Sequence, residues 1–166
     1  MTERNAAVRK LAALIEDVEI AMFTTHAADG RLVSRPLGTQ QVEFDGDLWF
    51  ATAADSAKAR EIADDPRVNV AYASRGKNVY VSVSGTASLV DDRAKIDEIW
   101  SPAMKLFFPG GKDDPQLRLI RVAVDTAEYW DGPGTLVGNA LNFLISAVSN
   151  DPTDLSEHET LHLGHR

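Results

Sequence analysis

Val79, Val81 and Val83 alternate with Tyr80, Ser82 and Ser84. Only an extended backbone puts three residues spaced by two on one side, because a helix would scatter them around its circumference. The run therefore predicts a strand with one buried face, continuing past Gly85 to about Val90. A strand wetted on one side belongs in an antiparallel sheet. The connections agree: Asp29-Gly30 and Asp45-Gly46 are dipeptides that close tight hairpins, and each stands between two β-rich segments. Strands are expected over Val18–Thr25, Leu32–Phe44, Leu48–Thr52, Arg67–Ala73, Val79–Val90 and Leu117–Trp130. Helices are expected where apolar residues recur at three and four: Glu3–Asp17 through Val8, Leu11, Leu14 and Ile15, and Thr135–Ser149 through Leu136, Ala140, Phe143 and Leu144. Shorter helices are expected over Ser56–Ala63 and Asp92–Trp100. Hairpin-linked strands with few crossovers give a mainly β, α+β chain: a small six-stranded antiparallel barrel with peripheral helices. At 166 residues one domain is expected, over residues 1–150, with residues 151–166 as a polar, flexible tail.

One junction has chemical content. The aromatic strand Leu48-Trp49-Phe50-Ala51-Thr52 runs through a short turn into a helix opened by Ser56, which has the hydroxyl an N-cap needs. The free amides of such a helix start attract an anion. Lys58 lies in the first turn, where its charge opposes the helix dipole unless an anion sits between them. The alternative is an ordinary capped surface helix with a solvated Lys58. Upstream, Pro36 and Gly38 interrupt the second strand, which marks an edge, a bulge or a place where a ligand nears the backbone. The segment Ser101–Gln116, with its prolines and glycines, reads as a long loop that is functional or covers something.

Other patterns exclude more than they offer. The chain has no cysteine, which removes disulfides, thiolate nucleophiles and iron–sulfur ligation. A net charge of −8 argues against nucleic acid and anionic membrane surfaces as partners. The longest apolar stretch, Ala140–Val148, is far shorter than the roughly 20 residues a membrane helix needs, and no secretory segment opens the chain, so a cytoplasmic setting is expected. His158-Glu159-Thr160-Leu161-His162 matches the H-E-x-x-H pattern of zinc peptidases, but no suitably spaced third ligand follows, and no metal site is assigned. Gly132-Pro133-Gly134-Thr135-Leu136-Val137-Gly138 narrowly misses a dinucleotide fingerprint and reads as a turn into the last helix. No residue is singled out as a catalytic acid, base or nucleophile.

Three segments taken in order carry a resemblance: Leu32-Val33-Ser34-Arg35-Pro36-Leu37, then Leu48-Trp49-Phe50-Ala51-Thr52, then Ser56-Ala57-Lys58. The set resembles the pyridoxamine 5′-phosphate oxidase-like split barrel, in its bacterial general stress protein branch. Trp100-Ser101-Pro102, Phe107-Phe108-Pro109-Gly110-Gly111 and Asp114-Pro115 resemble that branch's loop before the last long strand. The resemblance implies a homodimer that binds FMN at the subunit interface, with FAD or a deazaflavin as alternatives. It places Ser34, Arg35 and Pro36 beside the flavin, and runs Trp49, Phe50, Ala51 and Thr52 along the flavin and its ribityl chain. Ser56 and Lys58 would hold the phosphate, with Arg35 as a second cation. Trp100, with Lys105 and Phe107, would cover the cofactor. The activity implied is that of a flavin-dependent oxidoreductase; a non-enzymatic flavin store and a deazaflavin-dependent reductase are the alternatives. The Arg-containing C-terminal segment of true pyridoxamine phosphate oxidases is not matched, which argues against that particular substrate.

Overall fold

The computed structural model describes residues 3–40, 44–132 and 157–163. The expected helix over Thr135–Ser149 and most of the glycine-rich turn before it lie outside these residues. Helix α1 (Glu3–Ile15) leads into strands β1 (Ile20–His26), β2 (Leu32–Gly38) and β3 (Asp47–Ala53). Helix α2 (Ala57–Asp64), strands β4 (Arg67–Ser74) and β5 (Val79–Val90) and helix α3 (Arg93–Ile99) follow. Two 3₁₀ turns, Pro102–Leu106 and Gly111–Asp113, precede strand β6 (Leu117–Asp131), and β7 (Glu157–His162) closes the set.

All pairings are antiparallel, in the order β2-β1-β4-β5-β6-β3, with β7 also on β6. The expected count of six strands is therefore one short, and no ladder joins β2 to β3 among the described residues, so the sheet stays open along that seam. The missed strand lies in the stretch read as a polar tail. Its composition is polar, but Leu161 and Leu163 alternate and are both buried. Strand β6 is long enough to serve two neighbours on one edge: β3 takes residues Leu117–Ala123 and β7 takes Thr126–Asp131. Between them the register on β5 shifts by one residue at Ser84/Gly85. A Cβ on Gly85 would lie 2.4 Å from the carbonyl oxygen of Ala123. The bulge thus falls at Gly85, where two backbones close up, and not at Pro36 or Gly38. Those two sit on β2, which is an edge strand and tolerates a residue without an N–H.

The alternating strands deliver one core, built from Phe23, Phe50, Val70, Val81, Val83, Ile120, Val122 and Tyr129 among others. Phe23 and Phe50 meet edge to face with ring centroids 5.3 Å apart. Helix α1 closes one end with Ala7, Leu11 and Leu14, while Val8 and Ile15 pack at its margin. The long loop builds a second core: Met104 and Phe108 join Ile96 and Ile99 of α3 over Leu117 and Leu119 of β6. Pro66 explains where α2 stops, since the residue before a proline is pushed out of the helical region, and Asp65 is extended at φ −139°.

Candidate anion site

Strand β3 faces two ways. Leu48, Phe50 and Thr52 point into the main core and are buried, while Trp49, Ala51 and Ala53 pack on the second core with Trp100. Thr52 is the polar member of the inward row. Its hydroxyl meets that of Ser56 at 3.0 Å. Ser56 Oγ in turn accepts the amide of Ala59 at 3.2 Å and caps α2 as expected. No acidic residue occupies the first turn of α2.

Around this helix start the fold gathers charges that are far apart in sequence. Thr25 follows Ala21 and Phe23 on the inward row of β1 and is fully buried. Its Oγ1 donates to Glu61 Oε2 at 2.5 Å and accepts from Arg35 Nη1 at 2.7 Å. Arg35 Nη2 also donates to Glu61 Oε2 at 2.9 Å. The Thr25 hydroxyl and the Arg35 guanidinium together hold the Glu61 carboxyl below its ordinary pKa. Lys58 is half-buried. Desolvation first, then the neighbouring Arg35 charge, pull its pKa below the usual lysine value, with Glu61 opposing. Among the described residues Lys58 makes no hydrogen bond and no ion pair within 4 Å. A desolvated cation at an N-terminal helix turn is unfavourable twice over, and an anion would relieve both terms.

The structure therefore brings together Arg35, Thr52, Ser56 and Lys58 of the expected residues. It adds Thr25 and Glu61. Thr25 had a readable signal, being a polar residue in phase with Ala21 and Phe23. Glu61 had none, since only the packing of α2 on β1 reveals its partners. Arg35 is not a free second cation, because Glu61 neutralises it. Ser34 and Pro36 lie on the outer face of β2, where Ser34 Oγ meets Thr24 Oγ1 at 2.6 Å. Phe50 is locked in the core. Trp49 lies beneath Lys95, whose Nζ is 5.0 Å from the ring centroid. Trp100 packs on the second core. Lys105 lies exposed on the first 3₁₀ turn, and Phe107, just after it, is 79% exposed.

The H-E-x-x-H pattern lies on β7, an extended strand. Four residues along a strand span about 13 Å, so the spacing that unites two histidines on a helix separates them here. No helix among the described residues is long and apolar enough to cross a membrane.

Comparison with known proteins agrees with this architecture. A general stress FMN/FAD binding protein from Xanthomonas citri superposes with a TM-score of 0.68 at 28% identity, covering 80% of this chain and 93% of its own. General Stress Protein 26 from Bacillus anthracis gives a TM-score of 0.65 at 24% identity over 73% of this chain and 91% of its own, a likeness of fold. Protein bli-3 of Neurospora crassa is 28% identical over 160 residues, which is 90% of this chain and 77% of that protein. The family model described as pyridoxamine 5′-phosphate oxidase like matches residues 6–154, nearly the whole chain. With its antiparallel sheet split along β6, the chain belongs to the pyridoxamine 5′-phosphate oxidase-like family.

Proposed function

We propose that this protein binds FMN and serves as a flavin-dependent oxidoreductase. The observation that carries the reading is Lys58: a half-buried lysine with no hydrogen bond or ion pair among the described residues, at the capped start of α2, in a chain whose net charge is −8. An acidic protein gains nothing from desolvating a lysine unless an anion joins it. The donor set suits a phosphate monoester, with the Ser56 and Thr52 hydroxyls and the first α2 amides beside Lys58. Glu61 and Thr25 keep Arg35 oriented, each accepting one hydrogen bond, while Glu61 cancels its charge, so Lys58 supplies the net attraction. The similarity to a protein described as FMN/FAD binding supports the same reading. When bound, the isoalloxazine ring would supply the hydride and electron chemistry, and the protein's part would be binding and orientation.

The outer face of the sheet supports the proposal that two copies pair. Ile20, Met22, Leu32, Tyr80 and Trp130 are exposed there at 37 to 66%. Met22 stands opposite Pro36 on one side and Ala71 on the other, and Tyr80 stands opposite Trp130, so the apolar surface runs across several strands. Large exposed apolar faces of this kind mark interaction surfaces. The proposed setting is the cytoplasm.

The test is a titration of the full-length chain with FMN, followed by flavin fluorescence, beside Lys58→Ala. Saturable quenching in the wild type, weakened about 10- to 100-fold in the variant, is expected for loss of a charge-assisted phosphate contact. Equal affinities would remove Lys58 from the site. Turnover of NADH or NADPH with an electron acceptor separates an oxidoreductase from a flavin store.

A further inference from the structure

The chain has six lysines, and the fold treats one of them differently. Lys10, Lys77, Lys95 and Lys112 each face a carboxylate, in Asp131, Asp17, Glu98 and Asp97 respectively. Lys105 is exposed on its 3₁₀ turn. Lys58 is half-buried and has no hydrogen bond or ion pair among the described residues. Burial and the Arg35 guanidinium both penalise its ammonium form, so more of this amine is neutral than of an ordinary lysine. Only the neutral amine has a lone pair to give, and desolvation beside a second cation is a recurrent way of making a lysine nucleophilic. The same turn carries donors for an anion. The amides of Ala59 and Arg60 are taken up by Ser56, through its hydroxyl and its carbonyl. Those of Ala57 and Lys58 have no acceptor among the described residues. The Thr52 and Ser56 hydroxyls lie 3.0 Å apart at the same helix start. An activated amine and unfilled anion donors thus share one helix turn.

We propose that Lys58 is a covalent capture site for small phosphorylated aldehydes, whose phosphate takes the free donors of the α2 start while the Lys58 amine condenses with the aldehyde carbon. In that step the Nζ lone pair forms a bond to the carbonyl carbon, and the π pair of the C=O bond moves to oxygen. The two amine protons leave with that oxygen as water, and the product is an imine. Nothing is oxidised or reduced. A short chain must separate aldehyde from phosphate, because the amine and the donors belong to the same turn. Arg35 leaves the phosphate to Lys58 and the amides, since Glu61 already accepts its guanidinium. The proposal rests on the anion site described above and not on the flavin reading. A flavin phosphate would fill the same donors, so capture belongs to the flavin-free protein.

The probe is glyceraldehyde 3-phosphate, with glyceraldehyde as its uncharged counterpart. The full-length, flavin-free chain is incubated with each in the presence of cyanoborohydride, which reduces an imine to a stable secondary amine. Peptide mass mapping then locates the modified lysines, with exposed Lys105 as the internal reference. The phosphorylated probe is expected to raise the ratio of Lys58 to Lys105 modification by about 10- to 100-fold over glyceraldehyde, as for one charge-assisted phosphate contact. Inorganic phosphate should protect Lys58 and leave Lys105 unaffected, and urea unfolding should remove the preference. Equal modification of the two lysines, or the same Lys58 preference with glyceraldehyde, would overturn the proposal. FMN as a competitor separates the two readings. If FMN binds through Lys58 and no phosphate-dependent capture occurs, capture fails and the flavin reading stands. If Lys58 is captured and FMN neither binds nor protects it, capture stands and the flavin reading falls.

Discussion

Replacing Glu61 by Gln tests the electrostatic design of the anion site without changing its shape. In the folded protein one carboxylate oxygen takes the Thr25 hydroxyl at 2.5 Å and the Arg35 guanidinium at 2.9 Å. The Arg35 and Glu61 side chains are 20% and 16% exposed. Removing one partner of a fully buried pair costs about 3–5 kcal/mol, whereas exposed pairs contribute about 0–1 kcal/mol. With this residual exposure the loss should be about 2 kcal/mol, because Gln still accepts a hydrogen bond while Arg35 keeps an uncancelled charge beside Lys58. For a chain of this size that is a fall in Tm of about 4–8 °C. The pH dependence gives the reasoning its sharper edge. The Glu61 pKa is lowered on folding, so its contribution is complete above the unfolded value of about 4.3 and is lost as pH falls through the folded value. The gap between wild type and Glu61→Gln should thus be widest near neutral pH and close in acid, where the wild-type carboxyl is itself protonated. Inorganic phosphate should stabilise the variant more than the wild type, since Arg35 is then free to join Lys58. Urea denaturation of the unliganded chain across pH, with and without phosphate, measures both. A gap that stays constant as the pH is lowered would refute the claim that Glu61 is an engaged carboxylate.

Lys58 carries a second pH signature. Its pKa is depressed in the free protein, and a bound phosphate would restore it, so binding should draw in protons at alkaline pH. FMN affinity should therefore fall as pH rises through the lowered lysine value, a trend absent in Lys58→Ala; a parallel fall in both would assign the effect elsewhere. Gly85→Ala should destabilise by roughly 2–3 kcal/mol or prevent folding, because its Cβ would meet the Ala123 carbonyl oxygen at 2.4 Å, with circular dichroism melting as the readout. Met22→Glu, on the outer sheet face, should leave the monomer fold intact, since the residue is 43% exposed, and, on the proposed pairing through that face, make the chain sediment as a monomer where the wild type sediments as a dimer. A variant that still sediments as a dimer would move the subunit contact off this face.

Local pattern was enough for most elements, because period-two alternation, Asp-Gly turns and a serine cap each act within a few residues. The alternation of Val79–Val83, the cap at Ser56 and the amphipathic stripe of α1 are of this kind. So is the anomaly of Lys58, a cation placed where a helix start disfavours it. What local pattern could not supply was any partner distant in the chain. Glu61 reads as an ordinary helix carboxylate until α2 packs on β1 and brings Thr25 and Arg35 to it. Strand β7 reads as a tail because a short edge strand needs only two buried leucines, and its stability comes from a ladder with β6. The opposed directions of Trp49 and Phe50 follow from the pleat, but which side holds the main core was decided when α3 and the loop after it settled on one face. The open seam beside β2 exists only once the sheet has formed without closing. Sequence alone thus determined the strands other than β7, the turns and the capped helix, whose causes are local. Tertiary structure decided which charges are cancelled and which are left desolvated, because desolvation and pairing depend on neighbours that the chain brings together only by folding.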